Sequence, residues 1–254
     1  MSDRQPIRIA IITQDEPFVV PLLLEELLPL RAESISAIFI ADDPLAPGPV
    51  ATMRRWAGVL DTLSFMRYGF AYAWARFRGT GPRRTAQRHA VACETVDDVN
   101  APEFLNRLHE MQIDLVISVA CPQIFRKHLL ELPRLGCINV HSGPLPRYRG
   151  MLPTFWVLYE GEEATAVTVH VMNERLDDGE IVLQETVPIP AGETQANLMR
   201  RCKIAGGRLL AQAIDLLESD RVELRPNLRE DATWYSFPTP EQARRFRQQG
   251  GRWM

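Results

Sequence analysis

The sequence predicts a doubly wound α/β domain, and three observations carry the prediction. A short β-rich run, IRIAII (7–12), is followed by the helix-like VVPLLLEELLPL (19–30) and by a second strand-like run, SISAIFIA (34–41). Strand, helix, strand in that order builds a parallel pair joined by a crossover helix. The same logic repeats after a polar ETVDDVN segment (94–100), which reads as a loop: PEFLNRLHEMQI (102–113) has helical spacing, and DLVISV (114–119) and GCINV then read as buried strands. Downstream, 165–189 alternates like two strands around a polar loop, and 197–219 keeps helical periodicity throughout. Sheets of this kind take ligands at the carboxyl ends of their strands.

With 254 residues, 46% of them apolar and 24% charged, the chain can bury a sizeable core. The organisation expected is one domain, 1–225, and a short C-terminal extension, 226–254. A net charge of −3 gives no general footprint for nucleic acid, although Arg54, Arg55 and the cluster from Arg76 to Arg88 are local basic sites. The balance favours a small-molecule substrate over nucleic acid. Cys93, Cys121, Cys137 and Cys202 lack any CxxC or Cys/His ligand spacing, so they read as reduced core residues of a cytoplasmic protein that binds no metal. The N-terminal apolar run is too short for a signal peptide, and no membrane span is expected. The segment 53–79, rich in Trp, Tyr and Phe and punctuated by Arg, reads as a helical excursion packed on the domain or in a homodimer interface, which would bury Tyr72 and Trp74. The alternative is an interfacial helix or a lid over the acceptor site.

The chemistry gathers in INVHSGPLPRYRG (138–150). Asn139 and His141 are two apart in an extended chain, so both face one place at a strand end. Pro144 and Pro146 fix the turn after them, and Gly150 allows a conformation other residues resist. Then come PTFW and TVHVMNERLDDGEI, with Asp177 in the loop after a strand. Asp178 reads as a turn residue, and His89, His109, His128 and His170 read as surface or packing residues.

This ordered set resembles the formyltransferase family that uses 10-formyltetrahydrofolate, whose members carry an Asn-x-His motif, a Leu-Pro turn and a later Asp-x-Gly. ACPQIFRKHLLELPRLGCINVHSGPLPRYRG (120–150) is similar without a gap to methionyl-tRNA formyltransferases. The resemblance implies a Rossmann-like domain with N10-formyltetrahydrofolate as co-substrate and formyl donor, and with Asn139, His141 and Asp177 as the catalytic residues. It implies a protonated His141 kept cationic by Asp177. It also implies that the loop of Met172, Asn173, Glu174 and Arg175 holds the pterin, with Gln123, Ile124 and Phe125 along its other side.

The segment after the first strand narrows the acceptor. Purine-pathway members have a glycine-rich phosphate loop there, whereas this chain reads TQDEPF, without glycine. PTFW with Trp156 and the short C-terminal extension look more like the sugar-amine N-formyltransferases, so a small primary amine is expected, an amino sugar first. A methionyl-tRNA formyltransferase-like enzyme, a 10-formyltetrahydrofolate hydrolase and a non-catalytic folate-binding protein are the alternatives.

Overall fold

The computed structural model of the chain describes residues 7–43 and 49–254, so part of the N-terminal stretch read against a signal peptide lies outside the described residues. In chain order the elements are β1 (Ile9–Thr13), α1 (Val20–Arg31), β2 (Ile35–Ala41), α2 (Pro49–Val59), α3 (Thr62–Phe77), α4 (Pro82–Arg88), β3 (Cys93–Val96), α5 (Pro102–Glu110), β4 (Leu115–Val119), α6 (Lys127–Glu131), β5 (Cys137–His141), β6 (Arg149–Gly150), α7 (Pro153–Tyr159), β7 (Ala164–Val171), β8 (Ile181–Pro188), α8 (Gln195–Glu218), β9 (Trp234–Tyr235) and α9 (Pro240–Gln248). The main sheet has the order β3-β2-β1-β4-β5-β7-β8. Its first five strands are parallel, as the sequence predicts, and the order reverses direction between β1 and β4. That reversal opens a crevice at the carboxyl ends of the strands. β7 and β8 are antiparallel to their neighbours, so the sheet is mixed. The loop from 171 to 181 is too short for a crossover helix and must fold back as a hairpin.

Faces and core are set by alternation along β1. Ile9 and Ile11 belong to a large apolar cluster with Leu23, Leu24, Leu27 and Leu28 of α1 and Leu209, Leu210 and Ile214 of α8. Ala10 and Ile12 point the other way, into a smaller cluster with Phe39, Phe104, Leu108 and Phe125. Each fully buried Leu or Phe contributes about 2 kcal/mol of transfer free energy. α8 lies along α1 because Gly207 leaves no side chain in the way: a Cβ there would stand 2.4 Å from the Leu23 carbonyl oxygen.

Two segments differ from expectation. ETVDDVN does not lie wholly in a loop, since Cys93–Val96 forms the edge strand beside β2. Glu94 and Thr95 are exposed, so the alternating apolar signal of a half-buried strand is missing. Residues 53–79 hold the end of α2 and all of α3, and Trp56 stacks on Tyr68 at 5.8 Å, yet Tyr72 is 42% and Trp74 51% exposed. The packing is one-sided. The stretch after Pro226, by contrast, is built into the domain: β9 pairs with β6, the Trp156 indole donates to the Ser236 carbonyl oxygen at 3.0 Å, and Trp253 stacks on Phe155 at 4.9 Å. No described helix is long and apolar enough to cross a membrane.

Candidate active site

β5 presents Asn139 and His141 at its carboxyl end, and β7 runs beside it with His170 opposite Asn139 and Thr168 opposite His141. The Asn139 amide nitrogen lies 3.1 Å from His170 Nε2. His170 Nδ1 lies 2.9 Å from the Val171 carbonyl oxygen, so Nδ1 carries the proton and Nε2 accepts from Asn139. One Asn139 N–H is thereby used and the other remains for a ligand.

Asp177 closes the group from the β7–β8 loop. Its Oδ1 lies 3.6 Å from His170 Nε2, its Oδ2 lies 3.6 Å from His141 Nδ1, and Oδ2 accepts the Gly150 N–H at 2.8 Å. The backbone at Asp177 is left-handed, with φ of 51°, a strained choice for a residue other than glycine. What holds it is local. The Asn227 amide donates to the carbonyl oxygens of Asp177 and Gly179 at 3.0 and 2.9 Å. Gly179 must be glycine, since a Cβ would fall 1.8 Å from the Val171 carbonyl oxygen. The PLPRYRG turn supplies the opposite wall: Gly150, with φ of 97°, passes so close to Tyr235 that a Cβ would stand 2.2 Å from its carbonyl oxygen.

Asp178 is more than the turn residue the sequence suggests. Its side chain is 8% exposed and pairs with the fully buried Arg149 and, at 3.1 Å, with Arg229. Burial works against its charge, but the two guanidiniums outweigh that and lower its pKa. Arg149 also donates to Asn227 Oδ1 at 2.8 Å, so one network ties the loop, the turn and the C-terminal stretch together.

The electrostatics revise one expectation. Burial pushes His141 below its ordinary value of 6.5, against the pull of Asp177, and the nearby His170 and Lys203 push the same way. His141 is therefore a neutral imidazole at pH 7 rather than the cation expected, and its Nε2–H donates to the Tyr148 carbonyl oxygen at 2.8 Å. Burial disfavours the Asp177 carboxylate too, yet its attraction for an imidazolium at His141, its contact with His170 and the Gly150 N–H hold its pKa well below the usual carboxylate range. Stability should therefore depend on pH in two steps. The part due to His141 is present above 6.5 and is lost as pH falls from there through the depressed folded value; Asp177 adds a loss below its ordinary 3.8. Thermal melts should show stability declining with acid from about pH 6.5, and His141→Asn should remove that upper part of the decline. An unchanged profile in the variant would mean that His141 is not held neutral.

Two further charges flank the crevice. Lys203 of α8 is buried close enough to His141 and Glu16 to act on both electrostatically. That burial lowers its pKa against the attraction of Cys202 and Glu16. The Glu16 carboxylate accepts the backbone N–H groups of Phe18, Val19 and Val20 at 2.9, 2.6 and 3.0 Å. The anion seat at the start of α1, which a phosphate would need, is filled by the chain's own carboxylate.

The residues expected along the pterin divide. Met172 is partly buried against the smaller core cluster, and Asn173, Glu174 and Arg175 form an exposed rim beside Asp177, with Asn173 Oδ1 accepting the Arg175 N–H at 2.9 Å. Ile124 is exposed and free to touch a ligand. Phe125 is buried in the core, so its side chain faces away from any ligand. Gln123 spends its amide on the Asp42 and Asp97 carbonyl oxygens, at 2.6 and 2.7 Å, and on the Val99 N–H at 2.9 Å. It fixes the loops at the strand ends. Among the described residues no three His, Cys, Asp or Glu side chains are grouped to hold a metal ion.

Residues 81–214 match the formyl transferase family, a stretch that carries Asn139, His141, His170 and Asp177. The chain belongs to that family. Similar formyltransferases include the methionyl-tRNA formyltransferase of Syntrophus aciditrophicus, 44% identical over 128 residues, which are 50% of this chain and 41% of that protein. That of Trichlorobacter lovleyi is 37% identical over 140 residues, 55% of this chain and 44% of that protein. The matches thus span less than half the length of these relatives. Among solved formyltransferases, a sugar N-formyltransferase from a Shewanella species superposes with a TM-score of 0.61 at 19% identity, covering 92% of this chain and 78% of that one. A glycinamide ribonucleotide transformylase from Symbiobacterium toebii gives 0.61 at 20% identity, covering 86% and 94%. At these identities the superpositions establish a shared α/β fold.

Proposed function

We propose that the chain transfers a formyl group from N10-formyltetrahydrofolate to the primary amine of a small acceptor, a nucleotide-linked amino sugar first. The observation that carries this reading is the convergence of Asn139, His141 and Asp177, with His170 between Asn139 and Asp177, at the strand ends of a formyl transferase domain. The acceptor amine attacks the formyl carbon, forming a carbon–nitrogen bond and leaving charge on the formyl oxygen. The free N–H of Asn139 donates to that oxygen. A neutral His141 suits proton transfer better than a permanent cation: Nδ1 takes the proton of the attacking amine and Asp177, 3.6 Å away, stabilises the imidazolium. The same proton then passes to the departing N10 as the carbon–N10 bond breaks. Asn173, Glu174, Arg175 and Ile124 are the groups that would meet the folate, while Gln123 and Met172 support the loops behind it.

The filled seat at α1 speaks against an acceptor held by a phosphate in the β1–α1 loop. A second reading, an aminoacyl-tRNA acceptor, is favoured by the names of the sequence relatives, two of them 37–44% identical over about half of this chain. Turnover of 10-formyltetrahydrofolate with and without a panel of amines separates the readings. Release of tetrahydrofolate that depends on a nucleotide-linked amino sugar is expected. Dependence on methionyl-tRNA alone would replace the acceptor, acceptor-independent formate release would make the chain a hydrolase, and binding without turnover would make it a folate-binding protein.

A further inference from the structure

The helix α3 carries an apolar stripe with nothing over it among the described residues. Leu63, Met66, Phe70, Trp74 and Phe77 are 66, 66, 74, 51 and 83% exposed, and their spacing of three or four residues puts them on one face. The opposite face is the one that packs: Ser64 and Ala75 are buried, and Tyr68 meets Phe18 at 5.4 Å and Trp56 at 5.8 Å. Five large exposed side chains in a row exceed the scattered apolar surface of an ordinary domain.

The charges around the stripe say what it fits. From 49 to 93 the chain has eight arginines and one acid, Asp61, whose carboxylate is used to cap α3 through the Ser64 N–H at 2.9 Å. Arg67 lies within the stripe and has no ion-pair partner among the described residues. At the end of α3, Arg78 sits over the Trp74 ring at 5.8 Å, and Gly79, Arg83, Arg84, Gln87 and Arg88 line an open cleft of about 480 Å³. Some of these guanidiniums are anchored, Arg84 to the Arg78 carbonyl oxygen, Arg83 to that of Cys93 and Arg88 to Glu25. Each still has N–H groups to offer, since a guanidinium carries five.

We propose that α3 and the adjoining arginines form a peripheral docking surface for an anionic lipid bilayer. The stripe would sink among the acyl chains just below the headgroups, with α3 lying in the plane of the interface, and Arg67, Arg78 and the arginine cleft would meet lipid phosphates. A second copy of the chain fits less well, because a two-fold contact through α3 would set one unpartnered Arg67 and its basic surroundings against another. Single-stranded RNA fits less well too: Leu63 and Met66 offer no planar face on which a base could stack. The helix lies before the stretch that matches the family, and the surface is separate from the chemistry at β5 and β7.

Co-sedimentation of the full chain with phosphatidylcholine vesicles, with and without phosphatidylglycerol, tests this. Binding is expected only when phosphatidylglycerol is present, weakening as salt is raised. Phe70→Ser combined with Phe77→Ser should weaken it at least about tenfold, as should Arg67→Glu, with thermal stability unchanged because these side chains are exposed. A blue shift of fluorescence on vesicle binding that disappears in Trp74→Phe would place that ring in the bilayer. No binding to the anionic vesicles overturns the proposal, and so does binding that both variants leave intact. It is equally overturned if sedimentation shows a dimer that the double variant splits, or if an RNA oligonucleotide is the ligand those variants lose.

Discussion

Asp177→Ala is expected to lower kcat about a hundredfold or more while the KM for the formyl donor stays within about twofold. The carboxylate has no partner that could replace it. Among the described residues it alone bridges His141 and His170, at 3.6 Å each, and it alone accepts the Gly150 N–H. Without it an imidazolium at His141 would form in a buried site with no counter-charge, so the loss falls on the transition state and not on folate binding. Asn139→Ala should lose a similar factor, since one oxyanion donor is typically worth about 3 kcal/mol, and so should His141→Ala, which removes the group that takes the amine proton. His170→Ala should lose less. It positions the Asn139 amide through a 3.1 Å hydrogen bond, and replacing it with Gln should restore part of the rate. If Asp177→Ala instead raised the donor KM in proportion, with kcat unchanged, the carboxylate would belong to the binding site and the proposed proton path would be wrong.

The legible part of this site is the part written into short stretches of chain. Asn139 and His141 share a side because a strand has a period of two, and Gly179 marks Asp177 because the close approach to Val171 tolerates no side chain. His170 reads as a packing residue in the sequence because its role depends on β5 and β7 being neighbours with Asn139 and His170 in register. That is a fact of pairing between distant positions, invisible in either strand alone. The signal is present but ambiguous: a histidine near the end of the Thr- and Val-rich TAVTVHV strand, two residues before the loop that carries Asp177. The protonation state of His141 escapes the motif for a related reason. The motif shows the carboxylate partner, whereas the burial that outweighs it comes from the whole fold. The edge strand at Cys93–Val96 and the antiparallel direction of β7 and β8 escape it too, because edge position and pairing direction leave weak marks on composition.

Asp178→Ala, which a turn residue would tolerate, is expected to destabilise the fold by about 3 kcal/mol, a fall of about 10 °C in Tm for a domain of this size. The reason lies with its partner. Arg149 is 1% exposed, its Nε has no hydrogen-bond partner, and the Asp178 carboxylate is its only acidic partner among the described residues. Asn227 contributes neutral acceptors, which do not cancel a buried charge. Removing the carboxylate therefore strands a guanidinium beneath the strained Asp177 loop, and the loss should appear in kcat as well, through a displaced Asp177. Because the cost comes from an orphaned charge, deleting both partners should be milder than adding the two losses. Arg149→Met combined with Asp178→Ala should recover part of the stability lost in Asp178→Ala, with a coupling of at least about 1 kcal/mol. Melts of the two single variants and the double variant decide it. A change within about 0.5 kcal/mol for Asp178→Ala, or strict additivity across the cycle, would show that Asp178 is only a turn residue and that the loop is held by Asn227 alone.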